Sequence, residues 1–270
     1  MSLKELLVHV DQTDRATGRL RLAMDLACRH SCRLTALFVD EWNISQVDSK
    51  AGAELTDSVH RASRGLRNEL EICNASRGLE FEWQYVRESS EIAVWKAAAY
   101  ADLCVLGRQG NSNSMAADRA FCANVVAKVG TPLILVPEDA HFDSIGHRIV
   151  IAWDGSRAAA RAINDALPLI ERAEQVSILN VDSGLHEQTT ASLNRLRERL
   201  SRHCPRAEAR QIELPAYQSI GDALQAVALN MGGDLIVAGA FGHSRITERI
   251  FGGVTRDLLE KMKTPLLLAH

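Results

Sequence analysis

The same string of structure signals occurs twice along this chain. An apolar strand runs into a Gly-x-x-Gly loop, then a helix, then Thr-Pro and a second apolar strand. The first copy reads LCVLGRQG to TPLILV (Leu103 to Val136), the second LIVAGAFG to TPLLLA (Leu235 to Ala269). An internal repeat of this kind marks a duplicated structural plan. The 270 residues therefore read as two domains of about 135 residues each. The predicted boundaries are 1–137 and 148–270, with the polar stretch EDAHFDSIGH (138–147) as connector.

Each half reads as alternating strand and helix. In the second, RIVIAW (148–153) is a strand and Ser156 opens a helix with Ile163, Ala166, Leu167 and Ile170 at a 3.6-residue period. VSILNV (176–181) is the next strand, followed by an Arg- and Glu-rich helix over 187–203. Residues 211–214 end a third strand. Ser219-x-x-Asp222 resembles a capping box with Asp in the usual Glu position, opening a helix that ends near Met231. LIVA and LLLA complete the set. The first half repeats the order with ELLVHV, RLTALFV, EFEWQYV, LCVL and LILV, and its helix 54–76 carries Leu55, Val59, Ala62, Leu66 and Leu70 on one stripe. Strand–helix alternation implies parallel pairing with right-handed crossovers. Short, uninterrupted apolar runs suit strands covered on both faces. The predicted fold is two doubly wound α/β domains, each a five-stranded parallel sheet flanked by helices.

Composition narrows the function classes. A net charge of −3 provides no general attraction to nucleic acid or anionic lipid. No apolar run approaches the roughly 20 residues of a membrane span, and MSLKELLVHV reads as a first strand, not a leader, so a cytoplasmic protein is expected. The six cysteines lack a second paired cluster that would complete a zinc site. They read as reduced, structural thiols.

Ligands of open doubly wound sheets sit at the carboxyl ends of strands where the strand order reverses. If the first strand lies beside the fourth, Asp154-Gly155-Ser156 and the Gly239 loop meet there. Gly239 and Gly242 remove β-carbons where backbone must approach a ligand or take up positive φ. Nine residues on, Gly252-Gly253-Val254-Thr255 opens the last helix, whose free amides and dipole form an anion site. Thr255 adds a hydroxyl for a phosphate or a metal-bound water. Asp154, on the opposite lip, can accept from a ribose hydroxyl or help hold a divalent ion. There is no Gly-x-x-x-x-Gly-Lys-Ser/Thr and no Gly-x-Gly-x-x-Gly after a first strand, which argues against a P-loop ATPase and a dinucleotide enzyme.

With these motifs the chain resembles the universal stress protein family in its tandem form, over nearly its whole length. ATP-binding members carry Gly-x-x-Gly, nine residues, then Gly-Ser or Gly-Thr, which matches Gly239, Gly242 and Gly252; Gly253 departs from the Ser or Thr. The resemblance puts the family's first-strand Asp on Asp154 and its adenine-contacting Val on Val181. It implies an adenine-nucleotide α-hydrolase-like fold, ATP with Mg²⁺ or Mn²⁺, and pairing of two domains through their last strands. In tandem members that pair forms within one chain, and a further homodimer is open.

In the first half the same pattern fits Asp11, Val39, Gly107 and Gly110 and then fails. Counting back from Thr131-Pro132 puts Arg119, Ala120 and Cys122 where Gly252, Gly253 and Thr255 stand. Arg119 either fills the phosphate space or binds phosphate as a cation; the first half is expected to be mainly a structural or regulatory partner. Arg245 reads either as a phosphate clamp or as a solvated loop charge. His243 has no acid partner placed by sequence, and Ser156 and Ser244 lack a nucleophile elbow. Trp83, Trp95 and Trp153 are expected in packing, with Trp153 nearest the pocket.

The expected function is ATP binding in stress response or signalling, with slow or absent hydrolysis and no catalytic residues. The alternatives are an adenine-nucleotide hydrolase or adenylyltransferase, whose motifs AWDGSR and HVDQTD lack, and a nucleotide-free interaction module.

Overall fold

A computed structural model describes residues 2–13, 15–41, 50–107, 115–137, 142–182, 187–214, 219–240 and 253–270. These form two compact units. One is Ser2–Thr131; the other is Ser144–His270 together with the short stretch from Pro132.

The first unit contains β1 (Glu5–Val10), α1 (Ala16–His30), β2 (Arg33–Asp40), α2 (Lys50–Asn74), β3 (Phe81–Arg87), α3 (Ser90–Ala98), β4 (Leu103–Gly107) and α4 (Met115–Lys128). Its strands run β3-β2-β1-β4, all parallel. The runs Leu6–Val10 and Leu103–Gly107 are buried throughout, as expected for central strands covered on both faces. Trp83 stacks on Phe38, with ring centroids 6.0 Å apart. Trp95 departs from the expectation of packing: it lies on α3 with half its surface exposed.

The second unit contains β5 (Leu133–Val136), β6 (Arg148–Ala152), α5 (Arg157–Ile170), β7 (Gln175–Asp182), α6 (Glu187–Leu200), β8 (Ala207–Glu213), α7 (Ile220–Asn230), β9 (Leu235–Gly239), α8 (Gly253–Glu260) and β10 (Leu266–Ala269). The strand order is β5-β10-β9-β6-β7-β8. β10, β9, β6, β7 and β8 are parallel. β5, read from sequence as the fifth strand of the first half, is grouped with this unit and pairs antiparallel with β10, Leu133 opposite Leu268. Sequence pattern fixes that LILV is a buried strand, but not which unit it joins.

Both predicted helix starts are capped. Ser156 Oγ accepts from Ala159 N at 3.1 Å and Ser219 Oγ from Asp222 N at 3.1 Å. Each bond satisfies an amide that a helix start leaves unpaired. The helix expected to run to 203 ends at Leu200 and continues as turn. The predicted face of α5 is buried at Ile163, Ala166 and Ile170, with Leu167 half-buried.

The duplication extends to a polar clasp that precedes each fourth strand. Asp102 accepts from Lys4 N and Glu5 N at 2.7 and 3.0 Å. Asp234 accepts from Gly146 N and His147 N, both at 2.9 Å. Each carboxylate thereby ties the start of its unit's first strand to the fourth. The cysteines are free. Burial raises the Cys104 thiol well above its ordinary value and that of Cys32 to about 11, which leaves little thiolate to react.

Candidate functional site

In the second unit β6 lies between β9 and β7, so the order reverses at β6, and a crevice opens at the carboxyl ends of these strands. It encloses about 170 Å³. Ala152, Leu179, Val181 and Ala238 line it from the sheet, Ile220 and Leu224 from α7, and Gly253, Val254 and Thr255 from the start of α8. Asp154, Trp153, Asn180, Ala159 and Gly239 complete the lining. The sheet and α7 supply apolar wall, while α8 and the β6–α5 loop supply the polar groups.

The residues picked from sequence arrive here from separate elements. Asp154 is exposed at the lip, where Oδ1 accepts from Ser156 N at 2.8 Å and so holds the turn into α5. Val181 is 9% exposed at the end of β7. Thr255 is buried in the first turn of α8, a helix whose leading amides have no intrahelical acceptor. Gly253 is exposed, and a Cβ on it would meet no described atom within 4 Å. Gly242 and Gly252 lie outside the described residues, as do His243, Ser244 and Arg245.

Gly239 borders the crevice, and the structure gives a reason for it that differs from the expected one. Its φ is not positive, and a Cβ there would run into the Ala158–Ala159 peptide of α5. The glycine is needed for helix-on-strand contact, which seats the first turn of α5 against β9. Ligand approach is not what excludes a side chain here.

Sequence reading missed Ile220, Leu224, Leu179 and Asn180. The period of α7 marks Leu224 as inward-facing, and only the packed unit shows that this wall borders the crevice. Asn180 is buried and donates Nδ2 to Trp153 O at 2.9 Å. Trp153 donates Nε1 to Ser192 Oγ at 3.0 Å, so the indole is anchored on α6 while its residue borders the crevice.

Asp154 is the one acidic or basic side chain among the described lining residues. Among the described residues no three His, Cys, Asp or Glu side chains gather as a metal-holding cluster. No helix among them is long and apolar enough to cross a membrane.

The counterpart in the first unit differs. Asp11 stands at the end of β1 but is buried and ion-paired with Arg19 at 2.7 Å. Gly107 ends β4, and Val39 is buried in β2. Gly110 lies outside the described residues, and of Arg119 and Ala120 only the helical backbone is described. The expectation that Arg119 fills or binds at the phosphate space therefore falls outside them. Phe121 and Cys122 are buried.

Residues 146–270 match the sequence pattern of the universal stress protein family. Among curated proteins, none matches the chain. A universal stress protein from Archaeoglobus fulgidus superposes with a TM-score of 0.77 over 98% of this chain and 95% of its own, at 16% identity. A Pseudomonas aeruginosa protein assigned to the same family superposes with a TM-score of 0.60 over 99% of this chain and 93% of its own, at 13% identity. At such identities the superpositions establish a shared fold for the whole length. Residues 146–270 thus match the universal stress protein family by sequence, and the whole chain shares its fold with these two solved proteins.

Proposed function

We propose that the protein binds ATP in its second half and acts in stress response or signalling in the cytoplasm, with slow or absent hydrolysis. The observation that carries this reading is the crevice itself, with apolar walls, a polar lip at Asp154 and the start of α8 at one end. Its enclosed volume of about 170 Å³ is below the roughly 300 Å³ of a complete small-molecule site. It suits the base, with the sugar and phosphates over the rim toward α8. Val181 and the apolar wall would face the base and Asp154 the ribose. Thr255, Gly253 and the α8 amides, with Gly242 and Gly252 of the adjoining loop, would hold phosphate. Gly239 contributes by seating α5. A divalent ion, Mg²⁺ or Mn²⁺, would neutralise phosphate charge, with Asp154 the carboxylate available on the lip. The first half then serves as a paired structural or regulatory partner, and a homodimer of the whole chain is compatible with this reading.

The test combines binding with turnover. Calorimetric titration of ATP should give one site, and Gly252→Arg, copying the first half's Arg119, should abolish most of the binding while leaving the fold intact. Equal affinities of the two proteins reject the second-half assignment. Rapid product formation would instead identify an enzyme of the wider adenine-nucleotide group, and no binding a nucleotide-free interaction module.

A further inference from the structure

The two units can be matched position by position from their registers. Val8 pairs with Val105 as Ile151 pairs with Val237. His9 therefore stands for Ala152, Asp11 for Asp154 and Gly107 for Gly239. Eight residues beyond each aspartate, Arg19 stands for Ala162. Ten residues before each Thr-Pro, Phe121 stands for Val254.

At three of these positions, His9, Arg19 and Phe121, the first unit has the larger side chain. Ala152 and Val254 line the open crevice of the second unit. In the first, the rings of His9 and Phe121 lie with centroids 5.9 Å apart, and both are almost wholly buried. Both ring nitrogens of His9 are buried with no hydrogen-bond partner among the described residues. Such an arrangement is costly, so polarity does not explain the residue, whereas filling of space does. Arg19 is 4% exposed. It donates Nε to His9 O and Nη2 to Asp11 Oδ2, each at 2.7 Å. Its guanidinium lies where a Cβ on Gly107 would be, the place that the α5 backbone takes beside Gly239. The other oxygen of Asp11 accepts from Thr13 N at 3.0 Å and Thr13 Oγ1 at 2.5 Å. Both carboxylate oxygens are thus committed inside the protein, while Asp154 stands exposed.

We infer that the first unit carries a second nucleotide crevice sealed by its own side chains: His9 and Phe121 occupy the space for the ring system, and Arg19 takes the carboxylate that would meet the sugar. The seal lies in the sheet and in α1 and α4, apart from the residue substitutions of the glycine loop. Its ligand class, once opened, is the purine nucleoside triphosphate proposed for the second unit, and the inference rests on that reading for its ligand.

The test counts added sites. His9→Ala, Arg19→Ala and Phe121→Val are combined with Arg119→Gly, which restores the second half's Gly252 at the matching loop position, in the full chain; folding is checked by circular dichroism, and ATP is titrated by calorimetry against wild type. The expected result is one more site per chain than wild type. A wild-type count of zero with a variant count of one would overturn the second-half assignment and leave the seal standing. An unchanged count in a folded variant overturns the seal. Should the combined variant not fold, the reverse transplant decides: Ala152→His, Ala162→Arg and Val254→Phe should weaken ATP binding at least ten-fold, and undiminished affinity rejects the inference.

Discussion

The buried imidazole of His9 makes the first unit's stability depend on pH in a calculable way. Burial and the adjacent Arg19 charge lower its pKa from 6.5 to about 4, partly opposed by Asp11. In the unfolded chain the ring takes its proton near the ordinary value. Between the two values the unfolded state binds a proton that the folded state refuses, so stability falls as pH falls. The contribution is fully present above about pH 6.5, declines through the window, and is fully lost below about pH 4. The lowering from 6.5 to about 4 corresponds to about 3 kcal/mol. That is a large share of the ~5–15 kcal/mol that holds a domain together. The assay is hydrogen exchange of β1 and β4 amides, read against pH in wild type and His9→Leu. Leucine keeps an apolar contact with Phe121 and cannot titrate. Protection in wild type should fall from pH 6.5 to 4 by more than in the variant, the difference amounting to about 3 kcal/mol. Equal slopes, or a His9 ring signal titrating near 6.5 in the folded protein, would refute the reasoning. Asp11 acts in a lower window. Burial alone would raise its pKa, but Arg19, His9 and the Thr13 bonds hold it below its ordinary value, so its stabilisation disappears only as pH falls through that lower value.

Three further outcomes follow from particular contacts. Gly239→Val places a side chain against the Ala158–Ala159 peptide and should destabilise the second unit by about 1–3 kcal/mol, read from urea denaturation; a neutral effect would remove the close-packing account of that glycine. Ser219→Ala removes the acceptor for Asp222 N and should cost about 1 kcal/mol, seen as lower protection in α7. Leu224→Ala removes part of the crevice wall and should cost about 2–5 kcal/mol, with ATP affinity falling as well; full stability in the variant would contradict the burial of that side chain.

The repeat, the parallel strands and both serine caps were legible because each is written locally: an apolar run, Thr-Pro before a strand, a serine ahead of an amphipathic stretch. Asp154 and Thr255 could be found because strand ends and helix starts have sequence marks, whereas Val181 came only through the family resemblance. What escaped the sequence was contact between distant segments. Nothing about Arg19, eight residues past Asp11, distinguishes it from a solvated helix cation until α1 lies on β1 and β4. Arg119 is marked by its motif position, but its side chain lies outside the described residues; among those described, the buried large side chains are His9, Arg19 and Phe121. Gly239 has no room for a side chain, and the neighbour that takes the room is a helix backbone, a contact no local sequence mark reveals. An apolar tetrapeptide does not by itself name the partner of β5; the expectation that the halves pair through their last strands came from the family resemblance.

The central claim is that the crevice beside α8 receives adenine nucleotide while its counterpart is filled. Crystallising the protein with a non-hydrolysable ATP analogue tests it most directly. Density for adenosine between Val181, Leu224 and Asp154, with His9 and Phe121 still in contact in the other unit, is the predicted result. Adenosine seated beside Gly107, or a ligand-free crevice at Gly253 under saturating analogue, would contradict it.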